Sequence, residues 1–217
     1  QENINEKTGR QLINYIQSII HKLDAIIFSD YGYGTLPTWV TAELIKLAQH
    51  HKVTTAADSR YNLGKFKGVT IATPNKQESE EMTGKKLQID TDAEDMGREI
   101  CRLIQAEAVL ITRGKEGMSV IEANREATHI PAFNKTQVYD VTGAGDTVIG
   151  TMTLGLAAGA SFLDAALIAN IAASIVVRKV GTATVSLDEL VAAVNSFENH
   201  LAATGSLEGT TKGWIAD

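Results

Sequence analysis

The chain has 217 residues, of which 44% are hydrophobic, enough to bury the core of one domain. Its formal net charge of −6 argues against nucleic acid or an anionic membrane as a partner. Cys101 is the only cysteine, which excludes an internal disulfide and a multi-cysteine metal centre and fits a cytoplasmic protein. The apolar stretches 147–160 and 162–177 contain polar residues and fall short of the ~20 apolar residues that a membrane helix needs.

Apolar periodicity and turn residues predict alternating helices and strands along the chain. The predicted elements are, in order, helix 10–23, strand 25–28, helix 38–51, strand 53–57, strand 69–73, helix 76–83, helix 92–105, strand 108–112, strand 118–121, strand 128–130, a helix ending near 158, helix 162–179 and a last helix after Ser186. Capping boxes are expected at Thr91–Glu94 and Ser186–Glu189. This order predicts an α/β domain whose mostly parallel sheet is covered on both faces.

Polar residues recur at the ends of the predicted strands. Four of them stand at or just after an apolar run: Asp30, Asp58, Asn75 and Thr112. In parallel sheets, ligands bind at the carboxyl ends of the strands. We therefore expect the chemistry of this protein at that edge of the sheet.

The most informative segment is Asp140-Val-Thr-Gly-Ala-Gly-Asp146, which opens an apolar helix. Free backbone N–H groups at the start of a helix form an anion site. A carboxylate there repels a phosphate that only rests in the site, but it suits a hydroxyl that is about to attack the phosphate. The segment therefore favours phosphoryl transfer to an alcohol; the alternative is a glycine-rich turn before a core helix. Its glycine spacing matches neither the Walker A nor the dinucleotide-binding motif.

This segment resembles the signature of the PfkB, or ribokinase-like, family of carbohydrate kinases. Three further motifs resemble parts of the family and follow its order: Thr73-Pro-Asn-Lys-Gln-Glu78 (Asn-x-x-Glu), Thr112-Arg-Gly-Lys-Glu-Gly117 (Thr-x-Gly-x-x-Gly) and Arg178-Lys-Val-Gly181. Within the family, the motifs most similar to the heptose-7-phosphate kinase domain of ADP-heptose synthesis enzymes are Ser29–Tyr31, Asp140–Gly150 and Gly181–Ser186.

The resemblance implies a ribokinase-like three-layer α/β/α core with a mostly parallel sheet. It also implies ATP-dependent phosphoryl transfer to a sugar or sugar phosphate, with Mg²⁺ as cofactor and heptose 7-phosphate as the favoured acceptor. Two alternatives stay open. One is another PfkB kinase of the ribokinase, fructokinase or phosphofructokinase type, and the other is a nucleotide-binding module without catalysis.

By resemblance, Asp146 is the base that binds the acceptor hydroxyl and receives its proton. The backbone N–H groups implied to hold the phosphoryl oxygens lie around Gly143, Ala144 and Gly145. Asp140 and Thr142, with carbonyls near 176–181, match the family's monovalent-cation positions, which implies K⁺. Judged from the residue alone, Asp140 could equally form an Asx turn.

Asn75 and Glu78 are implied to organise Mg²⁺ through waters, although their spacing alone is that of a capping box. The ATP site is implied to include three residues whose alternative is a hairpin turn: Thr112, Gly114 and Gly117. Asn170, in an apolar helix, either makes a buried helix–helix hydrogen bond or lies beside adenine.

Asp30 resembles an acceptor-side position, but the family usually has Lys where Tyr33 stands. The kinase core is expected over 1–200, and 201–217 is expected to be a linker or loose tail. Nothing before residue 11 resembles the family's lid sheet or its Gly-Gly-x-x-x-Asn sugar motif, so the lid region is expected to be missing. We therefore expect the isolated chain to be weakly active or inactive. A homodimer is a further expectation.

Overall fold

The computed structural model describes residues 3–133 and 138–204. Its helices and strands are α1 (Glu6–Ile19), β1 (Ala25–Asp30), α2 (Thr38–His51), β2 (Thr54–Ser59), β3 (Ile71–Ala72), α3 (Lys76–Thr83), α4 (Asp90–Ile104), β4 (Ala108–Thr112), β5 (Met118–Glu122), β6 (Thr128–Ile130), α5 (Ala144–Ala157), α6 (Phe162–Val176) and α7 (Leu187–Thr204). Each helix and strand that the sequence predicts is present, with ends displaced by a few residues. The largest displacements are at α1, which begins at Glu6, and at α6, which ends at Val176.

The six strands form one sheet in the order β1-β2-β3-β4-β5-β6. β1 to β4 are parallel, whereas β5 and β6 are antiparallel to their neighbours, so the predicted mostly parallel sheet is confirmed. Successive side chains of a strand point to opposite faces. In β4, Val109 and Ile111 accordingly enter the core under α1, α2 and α4. Ala108 and Leu110 enter the core under α5, α6 and α7, which confirms the three-layer α/β/α arrangement.

Short-range hydrogen bonds set the helix starts. At α7, the Glu189 N–H donates to Ser186 Oγ and the Ser186 N–H donates to Glu189 Oε2, which confirms the predicted capping box. The box predicted at Thr91–Glu94 is wrong. Asp92 Oδ2 instead accepts the backbone N–H groups of Gln88 and Ile89, so α4 begins at Asp90.

α7 continues to Thr204, so residues 201–204 of the expected tail are helical. The rest of that tail, 205–217, lies outside the described residues. Among the described helices, none combines the length and the apolar character that crossing a membrane requires.

Candidate active site

A cleft of about 810 Å³ lies at the carboxyl ends of the parallel strands, where α5 begins. The sheet topology brings the residues that follow β1, β2, β3 and β4 to this cleft. Charged and polar side chains around it include Asp30, Tyr31, Asp58, Arg60, Asn75, Glu78, Thr112 and Asp146. The expectation that the polar residues after the strands meet at one edge is confirmed.

A second cavity of about 420 Å³ adjoins the cleft and has a largely apolar lining. Its apolar lining residues include Met118, Phe133, Val138, Val148, Ala173 and Val177. The two cavities share wall residues: Thr112, Gly114, Val141 and Gly145. An apolar chamber directly beside a charged one matches the two ends of a nucleotide, a flat base and a chain of phosphates.

The start of α5 supplies an anion site. Gly143 stands before the helix with φ +80°, a conformation that favours glycine. The Ala144 N–H donates to the Val141 carbonyl at 3.2 Å, so this predicted phosphoryl donor is engaged in the turn. Within the described ranges, the N–H groups of Gly145 and Asp146 have no hydrogen-bond partner, and a Cβ added to Gly145 would meet open space. Among the described residues the Gly143 N–H has no partner either, so the free donors lie at Gly143, Gly145 and Asp146, with room for a phosphate at Gly145.

Asp146 lies in the first turn of α5, beside this anion site. Its side chain faces the cleft, where the Tyr31 hydroxyl lies 3.2 Å from Oδ1 and 3.4 Å from Oδ2. Tyr31 belongs to the motif Ser29–Tyr31 but is not among the site residues that the sequence predicts. Tyr31 lies 115 residues from Asp146, and no local pattern joins the two.

Asn75 and Glu78 form the capping box that their spacing predicts. Asn75 Oδ1 accepts the Glu78 N–H at 3.0 Å, and Glu78 Oε2 accepts the Asn75 N–H at 2.9 Å. Asn75 also pairs with Thr112 in a parallel bridge, which brings the Asn-x-x-Glu and Thr-x-Gly motifs side by side. Burial, the largest influence, raises the pKa of Glu78 above its ordinary value.

Asp58, at the end of β2, is a further acidic group of the cleft that the sequence reasoning did not select as a site residue. Burial, followed by the negative charges of Glu78 and Asp146, raises the pKa of Asp58 to about 6, although the Arg60 guanidinium opposes the shift. Its place directly after a predicted strand was the available signal. Arg60 had no such signal, since it lies in the loop beyond β2.

The donor set here fits a magnesium ion. Asp58 and Glu78 bring carboxylate oxygens and Asn75 brings an amide oxygen, the hard ligands that Mg²⁺ takes. In the part of the chain that the structure describes, no group of three or more His, Cys, Asp or Glu side chains could hold a metal ion. Such a set suits an ion that keeps several waters and completes its shell with phosphate oxygens.

The loop after β4 forms the predicted hairpin turn and also lines both cavities. The Arg113 N–H donates to the Gly117 carbonyl at 2.8 Å, and Thr112 and Gly114 lie on the wall that the cavities share. Gly117 has φ +91°, and an added Cβ would overlap the Ile130 carbonyl oxygen.

Asn170 is buried and donates from Nδ2 to the Pro131 carbonyl at 2.9 Å, so its partner is the segment after β6. The predicted helix–helix hydrogen bond is therefore wrong. Asn170 also lines the apolar cavity, where its place beside adenine stays a prediction.

Asp30 is buried at the cleft wall with three partners of its own. Its Oδ2 lies 2.7 Å from Lys65 Nζ and 2.8 Å from Ser59 Oγ, and its Oδ1 accepts the Gly32 N–H at 3.1 Å. Burial alone would raise the pKa of Asp30, but Lys65 and Ser59 outweigh it and lower the pKa. These contacts fix the end of β1, and a role of Asp30 toward the acceptor stays a prediction.

Asp140 forms the Asx turn that was its alternative role. Its Oδ1 accepts the Thr142 N–H at 2.9 Å, and its Oδ2 accepts the Gly181 N–H at 3.1 Å. Hydrogen bonds from Thr142, followed by the one from Gly181, lower the pKa of Asp140. The carboxylate therefore ties the start of α5 to the segment after α6. Binding of K⁺ by Asp140 and Thr142 stays a prediction.

The family model described as pfkB family carbohydrate kinase matches residues 1–190. The chain belongs to this family. Bifunctional protein HldE of Paramagnetospirillum magneticum is 37% identical over 195 residues, which cover 88% of this chain and 39% of that protein. HldE of Haemophilus influenzae is 36% identical over 197 residues, which cover 90% of this chain and 40% of that protein. The chain thus spans about two fifths of the length of these curated relatives.

Solved structures confirm the ribokinase-like fold. Phosphofructokinase-2 from Escherichia coli in complex with potassium superposes with a TM-score of 0.74 at 22% identity, over 87% of this chain and 62% of that one. Arabidopsis thaliana ribokinase with ribose and ATP gives a TM-score of 0.71 at 17% identity, over 88% of this chain and 59% of that one.

Proposed function

We propose that this chain is the ATP-binding and base-carrying part of a sugar kinase whose acceptor is heptose 7-phosphate. The observation that carries the proposal is the placement of Asp146. Its carboxylate lies at the open start of α5, in a charged cleft that adjoins an apolar cavity. Membership of the carbohydrate kinase family supports the reaction type. The identity with HldE proteins and the resemblance of Ser29–Tyr31 and Gly181–Ser186 to heptose-7-phosphate kinase domains support the acceptor.

The two adjacent cavities suggest one orientation for bound ATP. The base enters the apolar cavity near Asn170, and the phosphates pass over Gly114 and Gly145 toward the start of α5. A Cβ at Gly114 or Gly145 would point into open space, so the backbone there leaves room for phosphate. The free N–H groups of Gly145 and Asp146 then hold the oxygens of the transferring phosphoryl group.

Glu78, Asn75 and Asp58 would hold Mg²⁺, which when bound neutralises charge on the phosphate oxygens. The capping box keeps one oxygen of Glu78 on the Asn75 N–H, which fixes the carboxylate toward the cleft. Burial, followed by the negative charges of Glu78 and Asp146, raises the pKa of Asp58 to about 6, and a cation held beside these carboxylates would offset that repulsion.

The reaction needs one proton acceptor. The acceptor hydroxyl oxygen forms a bond to the γ-phosphorus, the bond from that phosphorus to the β,γ-bridging oxygen breaks, and ADP leaves. Asp146 orients the hydroxyl in line and takes its proton as the new bond forms. A carboxylate is a sufficient base because the phosphoryl transition state is loose and the proton moves late.

A monovalent cation at Asp140 and Thr142, a homodimer and a cytoplasmic location belong to the same proposal. The potassium in the structure of E. coli phosphofructokinase-2, which shares this fold, supports the cation.

The substitution Asp146→Asn tests the proposal, because it keeps the shape of the side chain and removes the base. We expect phosphoryl transfer by the full-length protein to fall about 10³-fold, while Mg·ATP affinity measured by calorimetry changes less than about threefold. Asp188→Asn is the matched control, since Asp188 is an exposed acid in the first turn of α7. Near wild-type transfer by Asp146→Asn would refute the base assignment. ATP binding without transfer by the wild-type protein would favour the non-catalytic alternative.

A further inference from the structure

The loop after β1 contacts α5 across the cleft through the side chain of Tyr31. The phenol O–H donates to the Asp146 carboxylate, with oxygen distances of 3.2 Å to Oδ1 and 3.4 Å to Oδ2. The negative charge of Asp146, followed by this hydrogen bond, raises the pKa of Tyr31. The phenol therefore keeps the proton that it donates.

The backbone on both sides of Tyr31 is fixed. Asp30 is buried and held by Lys65 and Ser59. Gly32 has φ +76° and donates its N–H to Asp30, and a Cβ added there would lie 2.7 Å from the Tyr61 ring. These two anchors fix the direction in which the Tyr31 side chain leaves the backbone, and from there its hydroxyl reaches Asp146.

Arg60 holds the ring of Tyr31. Its guanidinium carbon lies 5.3 Å from the ring centroid, within the range of a cation–π contact, and its backbone N–H donates to the Asp30 carbonyl. Two carboxylates, Asp58 from β2 and Glu78 from α3, act electrostatically on the same guanidinium. The ring is thus held by a cation that belongs to the charged lining of the cleft.

We propose that Tyr31 is a positioning residue for Asp146, whose hydroxyl holds the carboxylate through one oxygen while the other oxygen receives the acceptor hydroxyl. The inference rests on the proposed role of Asp146 as the base. In the structure the phenol oxygen is nearly equidistant from both carboxylate oxygens, so it occupies the front of the carboxylate. When the acceptor binds, the phenol moves to one oxygen. The acceptor proton passes to the other oxygen, and Tyr31 keeps its own proton.

The positioning of Asp146 by the Tyr31 hydroxyl has a measurable consequence. Removal of the phenol O–H frees both carboxylate oxygens of Asp146 from the contact that positions them. The charged groups nearby are Asp58, whose pKa the charge of Asp146 helps to raise, and Arg60, which lies over the Tyr31 ring. Tyr31→Phe leaves both in place and removes only the hydroxyl.

The first experiment needs no kinase activity. Carboxyl ¹³C NMR at neutral pH compares the side-chain resonance of Asp146, assigned with Asp146→Asn, in the wild type, Tyr31→Phe and Tyr61→Phe. Tyr61→Phe is the matched control, because it keeps the ring beside Gly32 and its side chain is exposed. We expect the Asp146 resonance to shift in Tyr31→Phe, because its hydrogen-bond donor is lost, and to stay unchanged in Tyr61→Phe. An unchanged Asp146 resonance in all three proteins would overturn the proposal.

The second experiment measures phosphoryl transfer to heptose 7-phosphate by the full-length protein. For Tyr31→Phe we expect kcat to fall about tenfold and the KM for ATP to stay within about twofold. An unchanged kcat would contradict the proposal. Absence of transfer in the wild type would count against the proposed function, whereas the NMR comparison would still decide the role of Tyr31.

Discussion

Asp58 shows how the cleft changes the chemistry of a single residue. The pKa of Asp58 lies near 6 because burial and the charges of Glu78 and Asp146 disfavour its ionised form. The folded protein therefore holds this proton more tightly than the unfolded chain, whose Asp ionises near its ordinary value of 3.8. The stabilising contribution is complete below about pH 4 and is lost as the pH rises through about 6.

Asp58→Asn removes this dependence, since Asn does not ionise. For the metal-free protein we predict a melting temperature about 2–4 °C above that of the wild type at pH 8, and about half that difference at pH 5. Asp95→Asn serves as the control, because Asp95 is an exposed acid on α4, and it should match the wild type at both pH values. Equal effects of Asp58→Asn at pH 5 and pH 8 would show that ionisation of Asp58 does not oppose folding.

At the scale of elements, the start of α3 combines a structural and a chemical role. The same Glu78 carboxylate that accepts the Asn75 N–H also lines the cleft. The two roles separate on substitution, because Gln keeps a side-chain oxygen for the cap but loses the charge that a metal ion needs.

We predict that the free energy of unfolding of Glu78→Gln lies within about 0.5 kcal/mol of the wild-type value, whereas that of Glu78→Ala is lower by about 1 kcal/mol. Both variants should weaken Mg·ATP binding about tenfold or more, measured by calorimetry beside urea unfolding. Asp92→Asn is the control, since Asp92 accepts backbone N–H groups at the start of α4 as Glu78 does at α3. Wild-type Mg·ATP affinity in Glu78→Gln would leave Glu78 with a capping role only.

Elements with a local pattern were predictable from the sequence. The capping boxes at Asn75–Glu78 and Ser186–Glu189 each depend on two residues three apart, so the amino-acid sequence alone is enough to recognise them. The α4 start was misplaced because Asp92 accepts the N–H groups of Gln88 and Ile89, so the helix begins at Asp90 and Thr91 lies inside it. The Tyr31–Asp146 contact could not be predicted, since only the packing of α5 against the sheet brings the two together.

At the scale of the whole molecule, the two cores account for the shape of the site. Helices α1, α2 and α4 pack on one face of the sheet and α5, α6 and α7 on the other, which leaves the carboxyl edge open. The alternation of apolar segments predicted these layers, and the order of the motifs predicted which loops meet. The size and apolar character of the second cavity were not predictable, because they depend on how Phe133, Val148 and Val177 pack across distant elements.

In the proposed reaction, a phosphoryl group is transferred in the cleft from ATP to a hydroxyl beside Asp146. The most direct measurement is incubation of the full-length protein with γ-³²P-ATP, Mg²⁺ and, separately, heptose 7-phosphate, fructose 6-phosphate and ribose, followed by separation of the labelled products. We predict that label moves to heptose 7-phosphate far faster than to the other two and that Asp146→Asn abolishes the transfer. Label found only in inorganic phosphate would contradict the proposed sugar kinase reaction. Label transferred equally well by Asp146→Asn would contradict the role of Asp146 as the base.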